Sequence, residues 1–235
     1  MTDTRLLSRR SLLLGAGSIA ALSLAGCSTT RQMPDFSEMT DLFTGGKRAA
    51  AEPTIDPYYV QMYAARPQER FPLPAIDLKQ VDPKYWRQDV PDPTGERPGT
   101  IVVSTNERFL YLVQEGGRAI RYGIGIGREG FTWSGRGEVG RKAEWPVWTP
   151  PPEMIRRQPE LEEYRNGQPP GLTNPLGARA LYIYKGGRDS GYRIHGNPEV
   201  WSIGQAVSSG CVRMLNQDII DLYGRAPVGA KILVT

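Results

Sequence analysis

The sequence between positions 192 and 214 reads YRIHGNPEVWSIGQAVSSGCVRM. It contains His195, the only histidine of the 235-residue chain, and Cys211, one of its two cysteines. A thiol reacts as its thiolate, and a neighbouring imidazole can accept the thiol proton. The small residues directly before Cys211 permit a turn that aims several backbone N–H groups at one point, as an oxyanion hole requires. The stretch therefore indicates nucleophilic chemistry; the alternative is a strand-capping His195 and a buried, inert Cys211.

Composition and charge exclude several classes of protein. The chain has 27 glycines and 20 prolines, which indicates many turns and argues against a helix bundle. One histidine excludes most zinc sites built on several imidazoles, and two cysteines allow at most one disulfide. The net charge is +4, and the first 26 residues carry +2 of it, which leaves too little positive charge for nucleic-acid binding. We therefore expect no metal, no organic cofactor and no nucleic-acid partner.

The N-terminus has the features of an export signal. Arg9 and Arg10 precede an uncharged, largely apolar stretch at residues 12–25, which is too short to span a bilayer comfortably. The arginine pair resembles a twin-arginine signal. Leu12 and Leu14 stand where that motif prefers Phe and Lys, so Sec export stays open. We predict that residues 1–26 are a signal peptide.

Residues 24–27, Leu-Ala-Gly-Cys, resemble a bacterial lipobox. In such signals cleavage precedes the cysteine, which becomes acylated, and three acyl chains would anchor the protein stably. Ser28 follows Cys27, which in Gram-negative lipoproteins implies transport to the outer membrane. We therefore expect a periplasmic protein that is lipid-anchored at Cys27; the alternative is an incidental cysteine near an ordinary cleavage site. Cys211 would then be the one remaining thiol in an oxidising compartment.

The region from residue 27 to residue 98 is predicted to be a Pro-rich tether followed by an irregular segment. It contains ten of the prolines and no apolar period of 3.6 or 2. We expect a flexible tether to about residue 50, a mostly extended path beyond it, and a short helix near residues 57–65. Five aromatic residues suggest that part of the segment packs onto the following domain: Tyr58, Tyr59, Tyr63, Tyr85 and Trp86.

Residues 99–235 are predicted to form one mainly-β domain, a sandwich or barrel with one short helix after the cysteine. Apolar and β-branched runs predict strands at residues 100–105, 108–114, 118–126, 178–184, 192–195 and 231–234. Gly116-Gly117 suits a two-residue hairpin that needs positive φ. Residues 216–223 predict the helix, with Asn216 as N-cap and Asp218 in the first turn.

A glycine motif at residues 125–130 matches the spacing of a dinucleotide-binding loop, Gly-x-Gly-x-x-Gly. Such a loop must open a helix whose N-terminus holds the pyrophosphate. The following residues, 131–135, are β-formers and glycine rather than a helix start. We therefore interpret these glycines as bends at strand ends.

The active-site pattern resembles the signature of the L,D-transpeptidases, a family of bacterial cell-wall enzymes. It comprises His-Gly at residues 195–196, Ile203-Gly204, and Ser-x-Gly-Cys-x-Arg ending at residue 213, with an Asn-Pro-Leu-Gly turn at residues 174–177. The resemblance covers about residues 98–235. It implies Cys211 as nucleophile and His195 as general base. It also implies that the carbonyl of Gly196 orients the imidazole, which fits the lack of a carboxylate in residues 192–198.

The same resemblance implies an oxyanion hole made by backbone N–H groups of Ser209, Gly210 and Cys211. Many members carry a second histidine two residues before the cysteine, where this chain has Ser209, so His195 is left as the sole base. Arg213 matches a family arginine that suits a substrate carboxylate, or else it fixes the neighbouring loop. The predicted substrate-binding residues are Arg213, Trp145 and Ser208.

The implied reaction is acyl transfer from a peptidoglycan tetrapeptide stem through a thioester. The acceptor would be another stem, which gives a 3-3 cross-link, or another amine such as that of an outer-membrane protein, and carbapenems should acylate the same thiol. Residues 141–177 are too long and irregular for a hairpin, and we expect a lid over the groove or else a surface loop. Two other functions stay open: a cell-wall amidase or carboxypeptidase that uses water, and a non-catalytic wall-binding lipoprotein.

Overall fold

The computed structural model describes residues 54–127, 134–208 and 210–235, all within one structural unit, Pro53–Thr235. The predicted signal peptide, the lipidation site Cys27 and the tether up to residue 53 lie outside the described residues. The same holds for Ser209 and for residues 128–130 of the glycine motif. Of Ser208 only the backbone is described.

The described residues form a mainly-β fold, as predicted, built on one nine-stranded mixed sheet and one two-stranded sheet. The large sheet has the order β1-β4-β3-β2-β11-β6-β7-β8-β10, and β5 pairs with β9. The strands are β1 (Gln88–Pro91), β2 (Ile101–Ser104), β3 (Phe109–Gln114), β4 (Arg118–Gly123), β5 (Ile126–Gly127), β6 (Gly135–Glu144), β7 (Arg179–Lys185), β8 (Arg188–Asn197), β9 (Ala206–Ser208), β10 (Val212–Leu215) and β11 (Lys231–Val234).

The strand predictions differ from the structure where the sequence is polar. Strand β6 reads GRGEVGRKAE, and only Val139 in it is buried, so it lacks the apolar pattern that reveals a strand. Strand β8 begins at Arg188, four residues before the predicted start, because its first half is charged and exposed. Gly116 and Gly117 have the expected positive φ, 71° and 70°. The predicted two-residue loop was wrong: Gln114 pairs with Arg118, so the loop has three residues, 115–117.

The sheet curls so that its two ends approach each other. Gly125, just after β4, exchanges both backbone hydrogen bonds with Arg213 of β10, at 2.9 and 2.8 Å. Strands β4 and β10 lie near opposite ends of the sheet order, so this bridge encloses the core. Helix α3 (Asn216–Arg225) closes that core with Ile219 and Leu222, and it confirms the predicted helix after the cysteine.

Residues 54–98, before the β domain, contain more secondary structure than the mostly extended path that the sequence predicted. It contains helix α1 (Pro57–Met62), two 3-10 turns (Leu78–Gln80 and Pro83–Tyr85) and strand β1, which pairs with β4. Its apolar side chains form one cluster with residues of the β domain: Tyr63, Leu78, Val81, Trp86, Ile203 and Leu215. Residues 54–98 therefore pack directly against the chain between His195 and Cys211.

A buried charged network joins this segment to α3. The Nη1 of Arg87 lies 2.8 Å from Asp221 and its Nε lies 3.8 Å from Asp218, which is fully buried. The hydroxyl of Tyr63 donates to Asp218 at 3.2 Å and accepts the backbone N–H of Arg87 at 2.6 Å. Burial raises the pKa of Asp218 to about 7, against the opposing effect of Arg87. The positive charge of Arg87 thus offsets the repulsion between the Asp218 and Asp221 carboxylates and stabilises them in this partly buried position.

Replacing Arg87 with Met is expected to lower the free energy of unfolding by about 3–5 kcal/mol, because it leaves the fully buried Asp218 carboxylate without its cation. The deficit should shrink as the pH falls through 7, because the Asp218 carboxyl then takes up a proton in the folded state. Urea unfolding at pH 6 and pH 8 measures both effects. The control is Arg225→Met, which removes a half-exposed partner of Asp221 and should cost at most about 1 kcal/mol. Equal losses in the two variants would contradict the assignment.

Candidate active site

Strands β8 and β10 bring the predicted catalytic residues onto one face of the sheet. They pair in parallel, with Ile194 opposite Val212 and His195 opposite Arg213. Because side chains alternate along a strand, Ile194 and Val212 enter the core while His195 and Arg213 point to the other face. Cys211, two residues before Arg213, shares that face. His195 and Cys211, sixteen positions apart in sequence, thus lie on the same face of adjacent chain segments through parallel pairing.

His195 is held as a neutral imidazole. The side chain is 4% exposed, and its Nδ1 lies 2.6 Å from the carbonyl oxygen of Gly196. Burial lowers the pKa of His195 to about 4, and the positive charges of Arg213 and Arg193 act in the same direction. With the proton on Nδ1 donated to the Gly196 carbonyl, Nε2 is the basic nitrogen. The geometry fits a general base whose orientation comes from a backbone carbonyl.

The position of Gly196 depends on Asn216, the first residue of α3. A Cβ atom on Gly196 would collide with the Asn216 side-chain oxygen, and so would one on Gly177, whose φ is +59°. That oxygen accepts the N–H of Ala178 at 2.9 Å, and the Asn216 amide donates to the Asn197 carbonyl at 3.4 Å. The prediction of Asn216 as N-cap was wrong: Leu215 occupies the cap, and the Asn216 side chain is used for these tertiary bonds instead.

Replacing Asn216 with Ala is expected to lower the free energy of unfolding by about 1–3 kcal/mol, because the buried N–H of Ala178 loses its acceptor. It should also slow acylation of Cys211, because the end of β8 that carries the Gly196 carbonyl loses its support. Thermal unfolding and acyl-enzyme formation by intact mass measure the two effects. Asn216→Asp keeps the acceptor oxygen for Ala178 but places a carboxylate against the Asn197 carbonyl, so it should retain the stability only at low pH, where the carboxyl is protonated. A fully stable and active Asn216→Ala variant would contradict this role.

Cys211 is partly exposed, with two arginines beside it. Burial raises the pKa of the Cys211 thiol, while a hydrogen bond with the Arg193 backbone and the charges of Arg193 and Arg213 lower it. The preceding residue, Gly210, has φ of +120°, a conformation that side chains rarely adopt. The glycine before the thiol is therefore needed by the turn. At neutral pH the resting pair is a neutral thiol and a neutral imidazole.

Arg213 is engaged by Glu199 in this structure. Its Nη1 lies 2.6 Å from the Glu199 carboxylate, which is 47% exposed, in the loop between β8 and β9. This ion pair fixes the loop to β10, which is the second of the two roles expected for Arg213 from the sequence. Contact of Arg213 with a substrate carboxylate stays a prediction, and Glu199 is the group that such a carboxylate would displace. Glu199 was not predicted from the sequence, because nothing in its spacing relates it to Arg213.

Trp145 lies in a packed cluster rather than open to the groove. It is 3% exposed, packs against Leu73 and Ala178, and donates its indole N–H to Glu69 at 2.9 Å. Glu69 also receives two hydrogen bonds from Arg179, both of 2.8 Å. The structure therefore gives Trp145 a packing role, and its substrate-binding role stays a prediction. The side chains of Ser208 and Ser209 lie outside what the structure describes.

Residues 145–178 form a folded excursion between β6 and β7. It contains helix α2 (Pro152–Arg157) and a 3-10 helix (Pro159–Tyr164). The Asn174 amide donates to three carbonyls of the excursion, those of residues 146, 168 and 169, at 3.0–3.2 Å. The Pro175 carbonyl forms a hydrogen bond with His195 that raises its pKa. The predicted Asn-Pro-Leu-Gly turn therefore reaches the imidazole, whereas a lid motion stays a prediction.

In the described part of the chain, no group of three or more His, Cys, Asp or Glu side chains could hold a metal ion. No helix among those residues is long and apolar enough to cross a membrane.

Residues 98–234 match the family model of the YkuD L,D-transpeptidase catalytic domain. The match spans more than half of the chain, so the chain belongs to this family of enzymes with a cysteine nucleophile.

Two curated relatives from Escherichia coli strain K12 are similar over the same region. The chain is 36% identical over 154 residues to Probable L,D-transpeptidase YbiS and 35% identical over 150 residues to Probable L,D-transpeptidase ErfK/SrfK. The alignments cover 61% and 60% of this chain and 45% of each relative, so the chain spans about half their length. A solved structure described as a probable carnitine operon oxidoreductase caia from Brucella melitensis is 44% identical, with a TM-score of 0.47, and covers 68% of this chain and 99% of its own.

Proposed function

We propose that this protein is a peptidoglycan L,D-transpeptidase in which Cys211 attacks a tetrapeptide stem and His195 moves the protons. The observation that carries the proposal is the shared face of β8 and β10. There the Nδ1 of the imidazole lies 2.6 Å from the Gly196 carbonyl oxygen, which supports Nε2 as the nitrogen that accepts the thiol proton. Membership of the YkuD family supports the choice of reaction.

In the acylation step, Nε2 of His195 takes the thiol proton and the sulfur attacks the carbonyl carbon of the third stem residue. The oxyanion forms near the backbone N–H groups of Ser209, Gly210 and Cys211. The C–N bond to the terminal D-alanine then breaks, and the imidazolium returns the proton to the departing amine. Because burial disfavours a charged imidazole, the proton transfer is expected to occur with the attack rather than before it.

In the second step an amine acceptor attacks the thioester and releases the thiol of Cys211. A second stem as acceptor gives a 3-3 cross-link, and an amine of an outer-membrane protein gives a protein attachment. Water as acceptor would make the protein a carboxypeptidase, the second candidate named by the sequence. Arg213 is the group proposed to meet a carboxylate of the stem, after it separates from Glu199.

Product analysis tests the proposal. The purified protein is incubated with a disaccharide-tetrapeptide, and the products are separated and weighed by mass spectrometry. Transpeptidation gives free D-alanine and a cross-linked dimer, whereas hydrolysis gives D-alanine and the tripeptide only. Release of no D-alanine, with stem peptides or with added amine acceptors, would leave the non-catalytic wall-binding function.

We further propose that residues 1–26 direct export and that Cys27 carries the lipid anchor in a periplasmic protein of the outer membrane. The supporting observation is the sequence Leu-Ala-Gly-Cys at the end of the apolar stretch. Cys27→Ser is expected to move the protein from the membrane fraction to the soluble periplasmic fraction and to remove the acyl mass from the mature N-terminus. Membrane retention of Cys27→Ser without acyl mass on the wild type would contradict the anchor.

A further inference from the structure

One row of side chains crosses three strands of the sheet and ends at Cys211, directly before β10. Arg141 of β6 lies opposite Tyr182 of β7, which lies opposite Arg193 of β8. Val212 lies opposite Ile194, so the preceding residue, Cys211, lies beside Arg193. Cross-strand partners point to the same face of a sheet, so all four side chains belong to the face that carries the thiol.

The two arginines of the row stack on the buried tyrosine. The guanidinium carbon of Arg141 lies 3.4 Å from the ring centroid of Tyr182, and that of Arg193 lies 4.3 Å from it. The two side chains come from strands on either side of β7, and the ring is only 6% exposed. A guanidinium over a desolvated aromatic ring is held by the quadrupole of the ring.

Three hydrogen bonds also fix the Arg193 guanidinium. Asp189 accepts from both terminal nitrogens, at 2.7 and 3.0 Å, and the Tyr192 carbonyl accepts at 2.9 Å. Between Asp189 and Arg193 strand β8 bulges, because Asp189 lies opposite Tyr184 and Arg193 lies opposite Tyr182. The Asp189 carboxylate pairs with the guanidinium, and the positive charge of Arg193 still lowers the pKa of Cys211, so Asp189 reduces this charge near the sulfur without cancelling it.

We infer that Arg193 is an electrostatic positioning residue for the Cys211 thiolate, and that Tyr182 and Asp189 hold it in place. The inference rests on the proposed function, in which Cys211 is the nucleophile. The charged and titratable groups around the thiol are Arg193, His195 and Tyr192 on β8, Arg213 on β10, and the carboxylates of Glu199 and Asp189 that pair with the two arginines. Arg193 is the charged member of the row next to Cys211.

The test measures the rate of Cys211 alkylation by iodoacetamide against pH, in the full chain with Cys27→Ser so that one thiol remains. Arg193→Gln is expected to raise the apparent pKa of the thiol by about one unit, which slows alkylation at neutral pH by about tenfold. Asp189→Asn is expected to shift the pKa in the opposite direction, because it removes the negative charge that opposes Arg193. Tyr182→Leu should raise the pKa by less than Arg193→Gln.

Two controls separate this role from a general loss of structure. Arg188→Gln removes an exposed arginine from the same strand and should leave the alkylation profile unchanged. Tyr182→Phe keeps the ring and should restore the wild-type profile that Tyr182→Leu loses. If Arg193→Gln does not fold, Asp189→Asn still tests the sign of the effect.

An unchanged thiol pKa in Arg193→Gln, or a raised one in Asp189→Asn, would overturn the inference. Alkylation needs no stem peptide, so this result is independent of the product analysis. Failure of the wild type to release D-alanine would refute the proposed function even where the thiol pKa responds as expected.

Discussion

Cys211→Ala is expected to abolish thioester formation and to lower release of D-alanine by about 10⁴-fold or more, because Cys211 is the one cysteine among the residues that the structure describes. A carbapenem gives the sharpest measurement, since its ring carbonyl traps the nucleophile and adds its mass to the chain. Intact-mass spectrometry should show one adduct on the wild type and none on Cys211→Ala. The matched control is Cys27→Ala, which removes the other cysteine and should keep the adduct.

An adduct on Cys211→Ala, or loss of the adduct in Cys27→Ala alone, would contradict the assignment of the nucleophile. Absence of an adduct on every variant, together with no D-alanine release, would favour a non-catalytic wall-binding protein. Thermal unfolding of Cys211→Ala should match the wild type closely, because the thiol is partly exposed.

His195→Gln is expected to slow acylation by about 10²–10⁴-fold, the usual contribution of a general base. The pH profile gives the more specific test. Because burial lowers the pKa of His195 to about 4, the acid limb of wild-type acylation should lie near pH 4 rather than near 6.5. His195→Gln should remove that limb. A limb near 6.5 in the wild type would show a solvent-exposed imidazole instead.

The same histidine makes stability depend on pH. In the unfolded chain the imidazole takes up its proton near pH 6.5, whereas in the folded protein it does so near 4. Stability contributed by the neutral, buried form is therefore present above 6.5 and is lost as the pH falls towards 4, by about 3 kcal/mol in total. The buried Asp218 carboxyl takes up a proton over the same window and acts in the opposite direction, so the loss should appear as a difference in urea unfolding between the wild type and His195→Gln.

The predicted fold was confirmed in class and in several elements. Strand β11 and the Gly116-Gly117 hairpin lie where the pattern placed them, because apolar runs and paired glycines act locally. Strand β6 was missed, because it lies between β11 and β7 in the sheet yet carries an almost entirely polar sequence. Strand β10 was missed because its four residues, directly after Cys211, are too few to show the alternation of apolar and polar residues that predicts a strand.

The catalytic residues of the candidate site were predicted from the sequence, whereas the side chains that hold them in place were not. His195, Gly196 and Cys211 followed from a short motif, while Asn216 and Glu199 had no local signal. Asn216 was interpreted as a helix cap, which is the role its position in sequence favours. In the folded chain its side chain bonds to Ala178 and Asn197 instead, because two glycines leave room for it.

Single residues and short runs supply the chemistry available to this protein: one imidazole, one thiol after a glycine turn, and an apolar pattern that folds into β strands. Parallel pairing of β8 and β10, which no local pattern shows, places thiol and imidazole on one face. The folded chain also buries the imidazole, which keeps it neutral, and its strand register places Arg193 beside Cys211. Burial, register and charge proximity depend on segments that are distant in sequence, so they arise only when the sheet closes.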